Sequence, residues 1–241
     1  MDVSELRSAF TFSSSVTDRI RAFRTDRIAK IISNETALPF AEGSKTVLHC
    51  IPVESFAGSV QYDVFRFRDQ AHRIPPIVVG GGWNSHINLD GFATHSGTAD
   101  GCFSYTQLFR NGVVEAVEGD WLNAELNGKR YIPYGALERD VLEYTNKKIF
   151  EIQKELGVNT PIVVALTLTR TKNLEMAQDI YSFGGGHPIK EEHLILPESV
   201  VEDFNAPLSK VLKPMFDLIW NACGFLKSKN FDDEGNWKPQ R

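Results

Sequence analysis

No run of apolar residues in this sequence approaches the roughly 18 to 20 needed to cross a bilayer. The N-terminus, Met1-Asp2-Val3-Ser4-Glu5, brings acidic residues and no apolar stretch where a secretory leader would have a basic and then an apolar one. Membrane insertion and secretion are therefore not expected. Cysteine is scarce: Cys50, Cys102 and Cys223 are odd in number, far apart and never in a CxxC pair. That excludes a disulfide framework or a structural zinc site as an organising device, and a reducing, cytoplasmic setting is the expectation. Excess positive charge is lacking too. With 26 Lys and Arg against 31 Asp and Glu, the net charge is -5, so any contact with nucleic acid has to come from a local basic patch. Internal repeats and low-complexity linkers are also absent.

What is there has the composition of an ordinary globular protein, 42% hydrophobic and 24% charged over 241 residues. The reading is a single domain over 1–241 ending in a polar tail from about 228. Ile20, Phe23, Ile28, Ile31 and Ile32 recur at helical spacing and predict a helix over about 17–32, capped by Ser15 or Thr17. Its other residues include Arg19, Arg21, Arg24, Arg27 and Lys30, only partly offset by Asp18 and Asp26, which makes it the most basic segment of the chain.

A β-branched run over 46–53 closed by proline predicts a buried strand. Three extended runs follow, over 87–96, 102–110 and 113–117, and Asn111-Gly112 between the last two is a hairpin signal because both turn residues must tolerate positive φ. These predict an antiparallel meander, and Asn127-Gly128 predicts a further turn. A helical period over 134–156 ends at Gly157 as its C-cap, and the non-alternating run 161–168 predicts a strand covered on both faces. The run 193–197 predicts an edge strand, and 207–223 a helix too apolar for a surface. Helices and strands do not alternate regularly, so the fold class is α+β, a mixed and largely antiparallel sheet packed against helices.

No catalytic set emerges. Gly80-Gly81-Gly82 and Gly184-Gly185-Gly186 lack the context of a phosphate loop and read as flexible connections. His86 and His95 are an odd number of steps apart, so on one regular strand they would face opposite ways and could not share a metal. Asp63, Asp69, Asp90, Asp100, Glu115 and Glu118 could cluster in the meander and hold a divalent ion for phosphodiester cleavage, which is the alternative, nuclease reading. No residue is assigned a catalytic or metal-ligating role and no cofactor is implied. The candidate binding residues are Arg19, Arg21, Arg24 and Arg27 on the basic helix, Asn84 and His86 after the glycine-rich connection, and Arg110 beside the Asn111-Gly112 turn. Arg170 is a further candidate for a basic patch.

Several stretches carry a resemblance. Arg19 to Arg24 with Asp26 to Ile31, Glu35-Thr36 with Leu38-Pro39, Val47 to Pro52, Leu108 to Ala116, Phe216 to Gly224 and Asn230 to Asp232 are together similar to the C-terminal region of bacterial Schlafen-like (Alba-type) DNA-binding or ATP-binding domain proteins. In that family this region follows the Schlafen-like module. The resemblance implies an accessory or sensing role in a nucleic-acid or defence-related system, with no catalytic residue to carry over, and a partner chain bearing that module as a candidate partner. A nucleic acid or a small ligand is the other candidate partner. An oligomerisation module built on the helix 207–223 is a third reading.

Overall fold

The computed structural model describes residues 3–79, 81–98, 101–177 and 186–238. Gly80, Asp100, Gly184, Gly185 and the last three residues of the tail lie outside the described residues. In chain order the elements are α1 (Val3–Ile32), β1 (Lys45–Pro52), a short α2 (Glu54–Ala57), a 3-10 segment (Val64–Arg73), then β2 (Asn84–Ile87), β3 (Gly91–Thr98), β4 (Gly101–Phe109) and β5 (Val114–Glu118). After them come β6 (Glu125–Leu126), β7 (Lys129–Ile132), α3 (Ala136–Tyr144), α4 (Phe150–Leu156), β8 (Ile162–Thr169), β9 (Glu175–Met176), β10 (His193–Ile195), β11 (Ser199–Val201) and α5 (Leu208–Ala222). The α+β class is correct.

The main sheet has eight strands in the order β10-β8-β1-β5-β4-β3-β2, with β11 also pairing to β8, and every pairing in it is antiparallel. The meander expected from the sequence is β3-β4-β5, turning at Asn111-Gly112 with Gly112 at φ +86°. Asn127 (φ +52°) and Gly128 (φ +73°) close the β6-β7 hairpin as expected. Strand β8 is buried at every position because β1 covers one of its edges, β10 and β11 the other, and helices both of its faces. A small second sheet orders β6-β7-β9, with β9 parallel to β7.

Strand alternation divides the core in two. On one face Leu48, Leu108, Val114, Val164 and Leu166 meet Phe67 of the 3-10 segment, Val141, Phe150 and the wholly buried Phe216 and Trp220 of α5. On the other face Val47, Ile51, Val113, Val117 and Val163 meet Val16, Ile20 and Ile31 of α1. The helix expected over 134–156 is α3 and α4 joined through a π-helical turn, Thr145–Ile149, and Gly157 caps it in the left-handed region at φ +80°. Helix α1 begins at Val3, well before the expected start near Thr17. Serine and threonine are favoured at N-caps but cost only a few tenths of a kcal/mol each in a helix interior, so the helix runs on through Ser15 and Thr17.

Candidate binding surface

The four candidate arginines of α1, Arg19, Arg21, Arg24 and Arg27, divide into two pairs. Arg24 and Arg27 are buried at 4% and 6% exposure, whereas Arg19 and Arg21 face solvent. Arg24 and Arg27, expected among the binding residues, are thereby withdrawn from the surface. Arg24 and Arg27 lie four and seven residues beyond Ile20, so they share the stripe of Ile20, Ile28 and Ile31 that turns towards the sheet.

Arg27 forms a two-pronged bond to Glu115 of β5, Nε to Oε2 at 2.9 Å and Nη2 to Oε1 at 2.8 Å. His49 stands directly across from Glu115 on β1 and its Nε2 reaches Oε2 at 2.9 Å, while the Tyr105 hydroxyl donates to Oε1 at 2.7 Å. A carboxylate accepts from all of them, so Nε2 of His49 carries the proton and its buried Nδ1 has no partner. Burial alone would raise the pKa of Glu115, but hydrogen bonds from His49 and Arg27 outweigh it and hold the carboxylate down at about 2. Burial, then the neighbouring Glu115 charge, pushes the Tyr105 phenol well above its ordinary range. Arg24 donates to Glu198 at 3.1 Å, to the Leu166 carbonyl at 2.9 Å and to Thr167 Oγ1 at 2.9 Å. These contacts pin α1 to β1, β5 and β8, and the Glu115 cluster among them is enclosed.

Beside the pinned helix a groove opens along the β8-β11 edge. Val16 and Ile20 of α1, Val53, Val163 and Val200 line it, with a cavity volume of about 490 Å³. Arg21 and Glu198 stand on its rim 3.9 Å apart, a separation at which the pairing is loose. Arg19 donates across to the Phe56 carbonyl at 3.3 Å. Of the seven candidate binding residues, Arg21 alone lines the groove.

Asn84 and His86 lie on β2, the opposite edge of the sheet from β11, so the structure does not combine them with the α1 arginines. His86 and His95 occupy two strands of a hairpin rather than one, because the chain turns at 88–90. Asn84 pairs with His95 and His86 with Ala93, which sets the two imidazoles diagonally on the same face and overturns the expectation of opposite faces. Burial, then the charge of His86, lowers the pKa of His95. Arg110 lies over the Phe65 ring at 4.5 Å and bonds the Leu89 carbonyl at 3.2 Å, held against the body instead of projecting from a hairpin tip.

The carboxylates of the nuclease reading do not converge: among the described residues no three His, Cys, Asp or Glu side chains gather in a form that could hold a metal. Glu115 is saturated in the anchor, Glu118 accepts from Thr46 and from the amides of Asp120 and Trp121, and Asp69 pairs with Arg68 at the surface. Helix α5 buries Leu208, Leu212, Met215, Phe216, Ile219 and Trp220 in the core, so the apolar face expected to form an oligomer interface is occupied within the chain. No described helix is long and apolar enough to cross a membrane.

The groove was missed in the sequence because its walls come from four separate segments. A signal for the anchor did exist: two arginines in phase with three isoleucines. No protein-family model, curated protein or solved structure matches the chain.

Proposed function

We propose that this chain is a non-enzymatic binding and regulatory domain, an accessory unit of a nucleic-acid or defence-related system, that receives a segment of a partner chain in the groove beside α1. The observation that carries this reading is the groove itself, a largely apolar cavity of about 490 Å³ with the loosely paired Arg21 at its rim and Glu198, held by Arg24, beside it. An apolar floor supplies contact area and a polar rim sets orientation, the usual anatomy of a peptide-receiving surface. Arg19 and Arg21 are flanked on α1 by exposed Asp18 and Asp26, so the helix presents no net basic stripe of the kind that follows a phosphate backbone. The perturbed acids Glu115 and Tyr105 are enclosed and bonded to one another, which favours a structural over a reactive role for them.

The resemblance nominates the occupant: a Schlafen-like module supplied by a partner chain. The experiment is a titration of fluorescently labelled domain with such a module produced separately, using the exposed rim substitutions Arg21→Glu and Val200→Arg. Saturable binding weakened about tenfold or more by either change is the expected result. Binding indifferent to both changes, or none at all, removes the groove from consideration. Oligonucleotide binding that steepens at low salt and depends on Arg19 and Arg21 would reassign this surface to nucleic acid.

A further inference from the structure

A second feature lies away from the groove, at the end of the sheet where β1 starts and β8 stops. Lys45 and Thr169 are partners in the β1-β8 register, so Lys45 and Arg170 come together there. Ser44 joins this end to a third cation: its hydroxyl donates to the Arg170 carbonyl at 2.8 Å and accepts from Arg130 Nη1 at 2.6 Å. The other prong of Arg130 donates to the Lys172 carbonyl at 3.2 Å.

None of these three cations has a carboxylate within ion-pair distance among the described residues. Lys45 is only 5% exposed, and its ammonium makes a single long bond, 3.3 Å to the Gly43 carbonyl, while resting 5.1 Å from the centre of the Phe40 ring. Burial first, and the charge of Arg170 second, lower its pKa; the attraction of Glu42 is weaker than that repulsion. An ammonium withdrawn from water beside another cation is costly to hold unless an anion completes the arrangement. Arg170 also occupies the left-handed region at φ +51°, and Asn173 in the same loop does so at φ +67°, conformations that side chains rarely adopt and that gather at ligand-binding loops.

We propose that Lys45, Arg170 and Arg130 form a phosphate-binding site at this end of the sheet. Lys45 supplies a near-buried point charge, Arg170 a second charge from the loop after β8, and Arg130, oriented by Ser44 and the Lys172 carbonyl, the fixed planar donor that suits phosphate oxygens. The phosphate is that of a free nucleotide or of a nucleic-acid backbone, and the site is independent of the groove beside α1.

The test is calorimetric titration of the whole chain at constant ionic strength with inorganic phosphate, ATP and a single-stranded oligonucleotide, repeated on Lys45→Met, Arg170→Gly and Arg21→Gln. Glycine accepts the backbone of Arg170 without strain, and methionine keeps the stem of Lys45, so both variants retain the fold. Saturable phosphate binding weakened about tenfold or more by Lys45→Met and by Arg170→Gly, and unchanged by Arg21→Gln, is the expected outcome. ATP tighter than the oligonucleotide identifies a nucleotide site; the reverse, with a steep salt dependence, identifies a backbone site. Absence of binding by all three probes, or binding that survives both Lys45→Met and Arg170→Gly, overturns the proposal.

Discussion

Replacing Glu115 by glutamine keeps the volume of the side chain and removes the one negative charge on which Arg27, His49 and Tyr105 converge beneath α1. In the native chain the Glu115 carboxyl lies at about 2, against an ordinary value of 4.5. A gap of about 2.5 pH units, at about 1.36 kcal/mol each, amounts to about 3 kcal/mol of stability. Because the folded pKa is the lower one, this contribution is fully present above about pH 4.5 and is lost as the pH falls through about 2. Glutamine offers one acceptor oxygen where the carboxylate offers two, and its amide group confronts donors, leaving the Arg27 charge, buried at 6% exposure, with only Asp90 at 3.8 Å as a carboxylate partner. A loss of about 3 to 5 kcal/mol at neutral pH is expected, the range for breaking a buried pair from one side. Urea unfolding followed by tryptophan fluorescence at a series of pH values measures both effects. The variant is expected to lose about 3 kcal/mol less than the parent chain between pH 4.5 and 2. Replacing both partners, Arg27→Met with Glu115→Leu, is expected to restore only part of the neutral-pH stability, since no charge is then left unpaired but the buried His49 and Tyr105 donors lose their acceptor. A loss below about 1 kcal/mol for Glu115→Gln, with an unchanged acid limb, would refute the view that this carboxylate holds α1 to the sheet.

Two further outcomes are expected. Burial raises the pKa of all three thiols, those of Cys102 and Cys223 to about 12, so the folded protein at pH 8 should react with an aromatic disulfide reagent only as fast as it opens; rapid release of even one thiol equivalent would contradict the enclosed core. Trp220 donates from Nε1 to Glu138 at 2.8 Å in a buried cluster that also takes donors from Ser228 and Asn230, so Trp220→Phe should cost about 1 to 3 kcal/mol and loosen the segment after α5; protection of the Ser228 and Asn230 amides from hydrogen exchange equal to that of the parent would count against this.

The elements legible in the sequence are those governed by contacts a few residues apart. Asn111-Gly112 and Asn127-Gly128 turn where positive φ is cheap, Gly157 ends a helix for the same reason, and the unbroken apolar run of β8 needs cover on both faces wherever it sits. The α+β class followed from the order of such elements. Beyond them, the sequence also held the partition of the α1 arginines, because position relative to Ile20 decides which of them turn inward, but reading it required treating arginine as a core residue, and it becomes one only when a buried acid waits opposite.

That acid could be located only in three dimensions. His49 and Glu115 are 66 residues apart in the chain and meet because β1 and β5 pair in one register; a slip of one residue would turn each to the other face of the sheet. His86 and His95 share a face because a turn intervenes, which reverses the parity a single strand would impose. The groove beside α1 draws on four segments, and the uncompensated cations at Ser44 come from strands β1 and β7 and the loop after β8. Local physical chemistry thus determined which elements this chain forms, while strand register and helix docking decided which charges are neutralised in the interior and which remain at the surface.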